Sequence, residues 1–242
     1  KLIDEARRRA ERVSVSLFVN PIQFNSASDL ERYPRTFEAD AAACRELGVN
    51  ALFSPTTEAM YPEGFETCVE VEKLAGPLCG AHRPGHFRGV TTVVMKLLML
   101  GQPTVAVFGW KDAQQFLALR RMVRDLAVPV EMIGVETVRE GDGLAVSSRN
   151  KNLTAEERRA APAIDAGLKA AERMYRLGER SAQKLLAEAR NAIEREPLLR
   201  IEYLEARSLE TLETLTTAEE GNTLIAAAVW AGQTRLIDNV RL

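Results

Sequence analysis

The chain has 242 residues, of which 46% are hydrophobic and 27% charged, and its formal net charge is −2. That length suits one large domain or two modest ones with a real core. The near-neutral balance leaves no global basic field for nucleic acid or an anionic membrane, so any bound anion must be held by a local cluster.

The cysteines, Cys44, Cys68 and Cys79, are an odd and sparse set. They argue against a disulfide framework and for a reducing compartment, so a cytoplasmic location is expected. Cys79 and His82 lie three apart, but no second pair nearby completes a zinc spacing, and no metal ligand is assigned. The apolar stretch 90–100 contains a lysine and is too short to span a bilayer. No secretory signal is visible at Lys1.

In chain order, "KLIDEARRRAERV" reads as the middle of a helix feeding a strand, "RVSVSLFV" (12–19), whose apolar end is expected to be buried on both faces. "TFEADAAACRELG" reads as a helix ending on Gly48, followed by the short strand "NALFS". "GVTTVVMKLLMLG" is a second helix and "TVAVFG" a fully apolar strand. "DAQQFLALRRMVRDL" places Phe116, Leu119, Met122, Val123 and Leu126 on one face of an amphipathic helix, and "VPVEMIGV" is a further strand. This alternation predicts an α/β domain with a parallel, doubly wound sheet.

Near Val138 the texture changes. "TAEERRAAPAIDAGLKAAERMYRLG" reads as one long helical run opened by a capping box of Thr154 and Glu157. A second helix, "SAQKLLAEARNAIERE", precedes three strands, "RIEYLEAR", "TLIAAAVW" and "TRLIDNVRL". The expected organisation is therefore a domain over 1–137 and a smaller α+β lobe over 138–242.

Ligands of open α/β sheets bind beyond the carboxyl ends of the strands, and two polar clusters sit at such ends. In "FVNPIQF", Asn20 and Gln23 follow a strand and Pro21 fixes a turn, which is either plain turn chemistry or a ligand contact. In "VAVFGWKDAQQF", Gly109 permits close backbone approach, and Lys111 stands at the mouth of a helix whose N-terminus favours anions. Asp112 and Gln115 can equally be an N-cap and its partner. That reading leaves Lys111 unexplained, because a cation there is unfavourable unless an anion is bound.

A third cluster, "GDGLAVSSRNKNLT", joins Ser147 and Ser148 to Arg149. Hydroxyls and a planar guanidinium suit a polyphosphate, although such residues are also ordinary in a solvated loop. A fourth, "HRPGHFRGV", holds both histidines, His82 and His86, and can equally be a surface loop tied down by Pro84.

The motifs "FVNPIQF", "DLERYPRT", "RPGHFRGV", "FGWKDAQQ", "DGLAVSSRN" and "RLIDN" occur in the order and spacing of the pantoate–β-alanine ligase (pantothenate synthetase) family. The resemblance covers nearly the whole chain. It implies a Rossmann-like N-terminal domain of the nucleotidyltransferase superfamily and a C-terminal lid that closes over ATP. The implied reaction adenylates pantoate with ATP, releasing pyrophosphate, and then transfers the pantoyl group to β-alanine, releasing AMP.

Carried over by motif, Gln23 and Gln115 hold pantoate, with Asn20 beside them and Gln23 also near β-alanine. Gly109, Trp110, Lys111, Asp112, Val138, Val146, Ser147, Ser148 and Arg149 contact ATP. Lys111, Arg149, Ser147 and Ser148 serve the transferring phosphate. Mg²⁺ rides on the phosphates, and a homodimer is expected.

Two substitutions depart from the family pattern. Trp110 stands where Glu is usual and Ala113 where Tyr is frequent, both read as tuning because Lys111, Asp112 and Gln115 are kept. The family's opening strand and its "P-T-M-G-x-L-H-x-G-H" turn would precede Lys1, so a protein beginning at Lys1 is expected to be poorly stable and to make almost no pantoyl adenylate. Two other readings compete: another nucleotidyltransferase, which should lack the paired glutamines, and a non-catalytic binding module.

Overall fold

The computed structural model describes residues 1–25, 30–31 and 33–242. Asp29 and Arg32 of "DLERYPRT" lie outside the described residues. The chain divides into two units. The first comprises 1–76, 80–110 and 114–135; the second comprises 77–79, 111–113 and 136–242.

The first unit has the expected α/β character. Helix α1 (Leu2–Arg9) leads into β1 (Ser14–Ser16), and α2 (Phe37–Glu46) into β2 (Ala51–Phe53). The strands β1 and β2 pair in parallel, with Val15 opposite Leu52. Helix α3 (His86–Gly101) precedes β3 (Val105–Gly109), and α4 (Ala113–Asp125) precedes β4 (Glu131–Val135). These two strands are again parallel, with Val107 opposite Ile133. The parallel ladder thus appears as two separate pairs, β1–β2 and β3–β4.

The strand expected over 12–19 is shorter than its apolar pattern suggests. After Ser16 only the Leu17 amide continues the ladder, donating to Phe53 O at 2.8 Å, and Pro21 then starts a 3-10 turn, Pro21–Gln23. Every residue of β3 is half-buried rather than buried; the strand meets β4 along one edge and α1 packs against it.

Helices α3 and α4 pack together in the core of this unit. Val90, Val93, Val94 and Leu98 recur at helical spacing and are buried with Met60, Leu119, Met122 and Val123. On α4 the predicted apolar face holds for Phe116, Leu119, Met122 and Val123, but Leu126 is 55% exposed. The helix stops at Asp125, so Leu126 falls beyond the last turn that could carry it inward.

Trp110 is packed into the same unit, 8% exposed, with its ring 4.6 Å from that of Phe116. A Cβ on Gly134 would collide with its Nε1 and lie 2.8 Å from Cε2, so the bulky residue fits because its neighbour on β4 has no side chain. Gly134→Ala is expected to destabilise by about 1–3 kcal/mol through overpacking. A shift of the urea midpoint would register it. In a Trp110→Ala background the same change should cost far less, because the colliding atoms are gone.

The second unit is the smaller α+β lobe. The run predicted as one helix is two, α5 (Ala155–Ala160) and α6 (Ala163–Arg176). Pro162 separates them, because it lacks the amide a continuous helix needs and its ring crowds the preceding turn. The capping box is present: the Glu157 amide donates to Thr154 Oγ1 at 3.2 Å, and the Thr154 amide to Glu157 Oε2 at 2.8 Å.

Helix α7 (Ala182–Glu194) starts from Ser181, whose hydroxyl accepts from the Lys184 amide. Strands β5 (Leu199–Ser208), β6 (Thr223–Ala231) and β7 (Thr234–Arg241) form an antiparallel sheet in that order. Its apolar face packs against the helices through Ile164, Leu168, Leu185, Ile193, Ile225 and Val229.

Candidate active site

The predicted site residues divide between the units. Asn20, Gln23, Gly109, Trp110 and Gln115 belong to the first; Lys111, Asp112, Val138, Val146, Ser147, Ser148 and Arg149 belong to the second.

In the first unit the best-defined constellation surrounds the turn Pro21–Gln23. Asn20 is buried at 2% exposure and its amide is fully used. Its Nδ2 donates to Gln23 Oε1 at 3.1 Å and to Gly89 O at 3.0 Å. The Tyr61 hydroxyl donates to its Oδ1 at 2.7 Å. Burial, with the Cys68 thiol adding to it, pushes the Tyr61 phenol up to about 12, so it stays a neutral donor across the physiological range.

His86 places Nδ1 2.7 Å from Gln23 O. The turn also lies flat on α3, because a Cβ on Gly89 would stand 2.5 Å from Ile22 O and 2.7 Å from Gln23 Cα. Gln23 is thus held by its main chain while its half-buried side chain carries one bond to Asn20.

At the end of β3, residues Trp110–Asp112 form a single 3-10 turn leading into α4. The Trp110 indole is buried and packs on Phe116. The two amides that follow differ in placement. Gln114 is buried and donates to Leu74 O at 2.9 Å, a structural use, whereas Gln115 is half-buried.

In the second unit Lys111 is half-buried and Asp112 exposed. The Lys111 carbonyl accepts from Asn239 Nδ2 at 3.1 Å. Asn239 is itself placed by Asp238, whose Oδ1 accepts the Asn239 amide at 2.8 Å. Arg139 grips the Asp238 carboxylate with two bonds of 2.6 and 3.0 Å and reaches Asp165 at 3.0 Å. Burial opposes the Arg139 charge, but the bond to Asp238 and the attraction of both carboxylates outweigh it and raise its affinity for the proton. The "RLIDN" motif therefore has a mechanical use: through Asp238 and Asn239 it fixes the backbone of Lys111.

The "AVSSRN" stretch folds back on the chain before it. The Val146 amide donates to Val138 O at 2.8 Å, and both valine side chains are exposed. Together they offer a small apolar surface of the kind a planar base can cover. Ser147 caps a 3-10 turn, Ser148–Asn152, accepting from the Arg149 amide at 3.3 Å. Asn150 ties the turn down by donating to Glu140 Oε1 at 3.0 Å and Ala145 O at 3.1 Å. Ser148 is exposed, and Ser147 and Arg149 are half-buried.

Sequence reasoning gave no role to four residues that hold these clusters, namely Tyr61, Asn150, Asn239 and His86, the last noted only within its fourth cluster. Three lie inside or beside the motifs, at "RPGHF", "SSRN" and "RLIDN". Tyr61 gives no signal, because a lone tyrosine after a short helical turn reads as core.

Among the described residues no group of three or more His, Cys, Asp or Glu side chains could cage a metal ion. No helix there is long and apolar enough to cross a membrane.

The sequence matches the family model described as pantoate-beta-alanine ligase over residues 1–241. A pantothenate synthetase of Pelotomaculum thermopropionicum is 50% identical, the match taking in 100% of this chain and 86% of that protein. The crystal structure of pantothenate synthetase from Thermus thermophilus superposes with a TM-score of 0.95 at 46% identity, covering 99% of this chain and 87% of that one. A pantoate-beta-alanine ligase from Francisella tularensis, solved with beta-gamma ATP and beta-alanine, gives a TM-score of 0.79 at 31% identity, covering 99% and 83%. The chain belongs to the pantoate-beta-alanine ligase family.

Proposed function

We propose that this chain joins pantoate to β-alanine with ATP through a pantoyl-adenylate intermediate. The observation that carries the reading is the family match over residues 1–241. A pantoate carboxylate oxygen attacks the α-phosphorus, the bond to the β-phosphate breaks, and pyrophosphate leaves. The β-alanine amine then attacks the acyl carbon, loses a proton and expels AMP.

Each cluster has a part in this chemistry. Attack on the α-phosphate builds negative charge on its oxygens and on the departing pyrophosphate. Lys111 and Arg149 stabilise that charge, assisted by the Ser147 and Ser148 hydroxyls. Gly109, Trp110, Asp112, Val138 and Val146 hold the nucleotide. Gln23 and Gln115 hold pantoate with Asn20 in support; neutral amides orient its hydroxyls and carboxylate without quenching the nucleophile.

The donor set suits a Mg²⁺ ion carried on the phosphates with its own waters, not one caged by side chains. When bound, the ion neutralises phosphate charge. The domains at 1–137 and 138–242, closure of the second as a lid, a homodimeric assembly and a cytoplasmic location complete the proposal.

The test is pyrophosphate release with ATP and varied acceptors, run on the 242-residue chain and on one extended at its start by the family's opening strand and histidine turn. Release that requires pantoate, followed by AMP and pantothenate once β-alanine is added, is the expected result. Release driven instead by a phospho-alcohol would make the chain a different nucleotidyltransferase, and binding without release would make it a non-catalytic module. Light scattering of the purified protein checks the dimer.

A further inference from the structure

His86 is placed to govern Gln23. Its Nδ1 lies 2.7 Å from the Gln23 carbonyl oxygen. A carbonyl can only accept, so Nδ1 carries the hydrogen, and in the neutral ring Nε2 is left as an acceptor. Arg83 stands on that side, its Nη1 3.4 Å from Nε2, while its Nη2 donates to the same Gln23 carbonyl at 3.4 Å. The ring is 9% exposed and packs edge-on to Phe87 at 4.9 Å between centroids. It is a fixed, water-poor donor at the start of α3.

The turn it grips cannot hold itself. Residues Pro21–Gln23 make one 3-10 turn, and its own bonds are long, 3.4 Å from the Gln23 amide to Asn20 O and 3.2 Å from the Phe24 amide to Pro21 O. Such turns have poor hydrogen-bond geometry. Asn20 Nδ2 adds a 3.1 Å bond to Gln23 Oε1, and still shorter bonds come from outside the turn, from His86 to Gln23 O and from Asn20 to Gly89 O. Both end on the first turn of α3, whose Val90, Val93, Val94 and Leu98 are buried in the unit's core.

We propose that His86 is a positioning residue for the ligase reaction, fixing the Gln23 turn through its carbonyl so that the Gln23 amide meets pantoate, without touching substrate itself. This rests on the reading of Gln23 as a pantoate contact. A misplacement of about 1 Å in such a group can cost up to roughly 10²-fold in rate, so the effect falls on pantoate and spares ATP.

The experiment pairs kinetics with amide exchange in the intact enzyme. His86→Ala should raise the pantoate KM by about 10-fold, leave the ATP KM unchanged, and speed exchange at the Gln23 and Phe24 amides. His86→Asn should restore both, because its Nδ2 can take the place of Nδ1, whereas His86→Gln should not. In a Gln23→Ala background His86→Ala should add nothing further.

An unchanged pantoate KM in Gln23→Ala overturns the pantoate reading of Gln23, while exchange still decides the positioning. Unchanged exchange in His86→Ala, or additive effects on KM, overturns the positioning role. If His86→Ala does not fold, nitrogen-15 spectra of the wild type decide: a hydrogen on Nδ1 is expected, and one on Nε2 alone sinks the proposal.

Discussion

Lys111→Ala should lower pantoyl-adenylate formation by roughly 10²-fold or more without lowering the melting temperature. The two halves of this expectation have separate causes. Lys111 follows a half-buried strand and precedes α4, in a turn where the positive end of the helix dipole already stands. Without a bound anion its charge is unfavourable there, so removing it relieves about 0.3–1 kcal/mol of repulsion instead of breaking a support. In the proposed role, with ATP bound, the same charge would meet phosphate oxygens whose negative charge grows toward the transition state, and there it would be worth several times more.

Asn239→Ala gives a graded control for the same site. The lysine stays but its carbonyl loses the 3.1 Å bond, so adenylation should fall by a smaller factor, on the order of 10-fold. Pyrophosphate release per folded molecule, read beside a melting curve, measures both variants. A Lys111→Ala enzyme that releases pyrophosphate at the wild-type rate would remove Lys111 from the mechanism.

Local pattern made much of this molecule legible. The strand–helix alternation, the Thr154 capping box and the strand-end clusters all follow from spacing that acts within a few residues. The break at Pro162 was also within reach, because proline interrupts a helix regardless of context. What stayed hidden depends on contacts between distant residues. Tyr61 and Asn20 are 41 positions apart, and His86 and Gln23 are 63 apart. No local period could join them, and the histidine stretch therefore read as loop chemistry. The packing of Trp110 is similar: its fit depends on an absent side chain at Gly134, on the adjacent strand. Tertiary contact, not propensity, decides which polar residue positions another.

Gly89→Ala should cut kcat/KM for pantoate by roughly 10²-fold while barely altering the ATP dependence. By helix propensity alone the change is favourable, since alanine is better than glycine in a helix interior by about 1 kcal/mol. The added methyl, however, would stand 2.5 Å from Ile22 O, 2.7 Å from Gln23 Cα and 2.8 Å from Gln23 N. All three are main-chain atoms, so no side-chain rotation can clear them, and the whole turn must lift from α3. Overpacking of this kind costs about 1–3 kcal/mol, which offsets the propensity gain and leaves net stability only modestly lowered. The functional loss is larger because lifting the turn strains two bonds together, Asn20 to Gly89 O and His86 to Gln23 O, and carries Gln23 away from its set position. Gly101→Ala, on the same helix, is the matched control: its Cβ would find only Pro103 Cδ, at 3.9 Å, so activity should be retained. Steady-state kinetics with pantoate and ATP varied in turn separates the cases. Equal activity in the two glycine variants would show that the close seat of the turn on α3 has no bearing on pantoate.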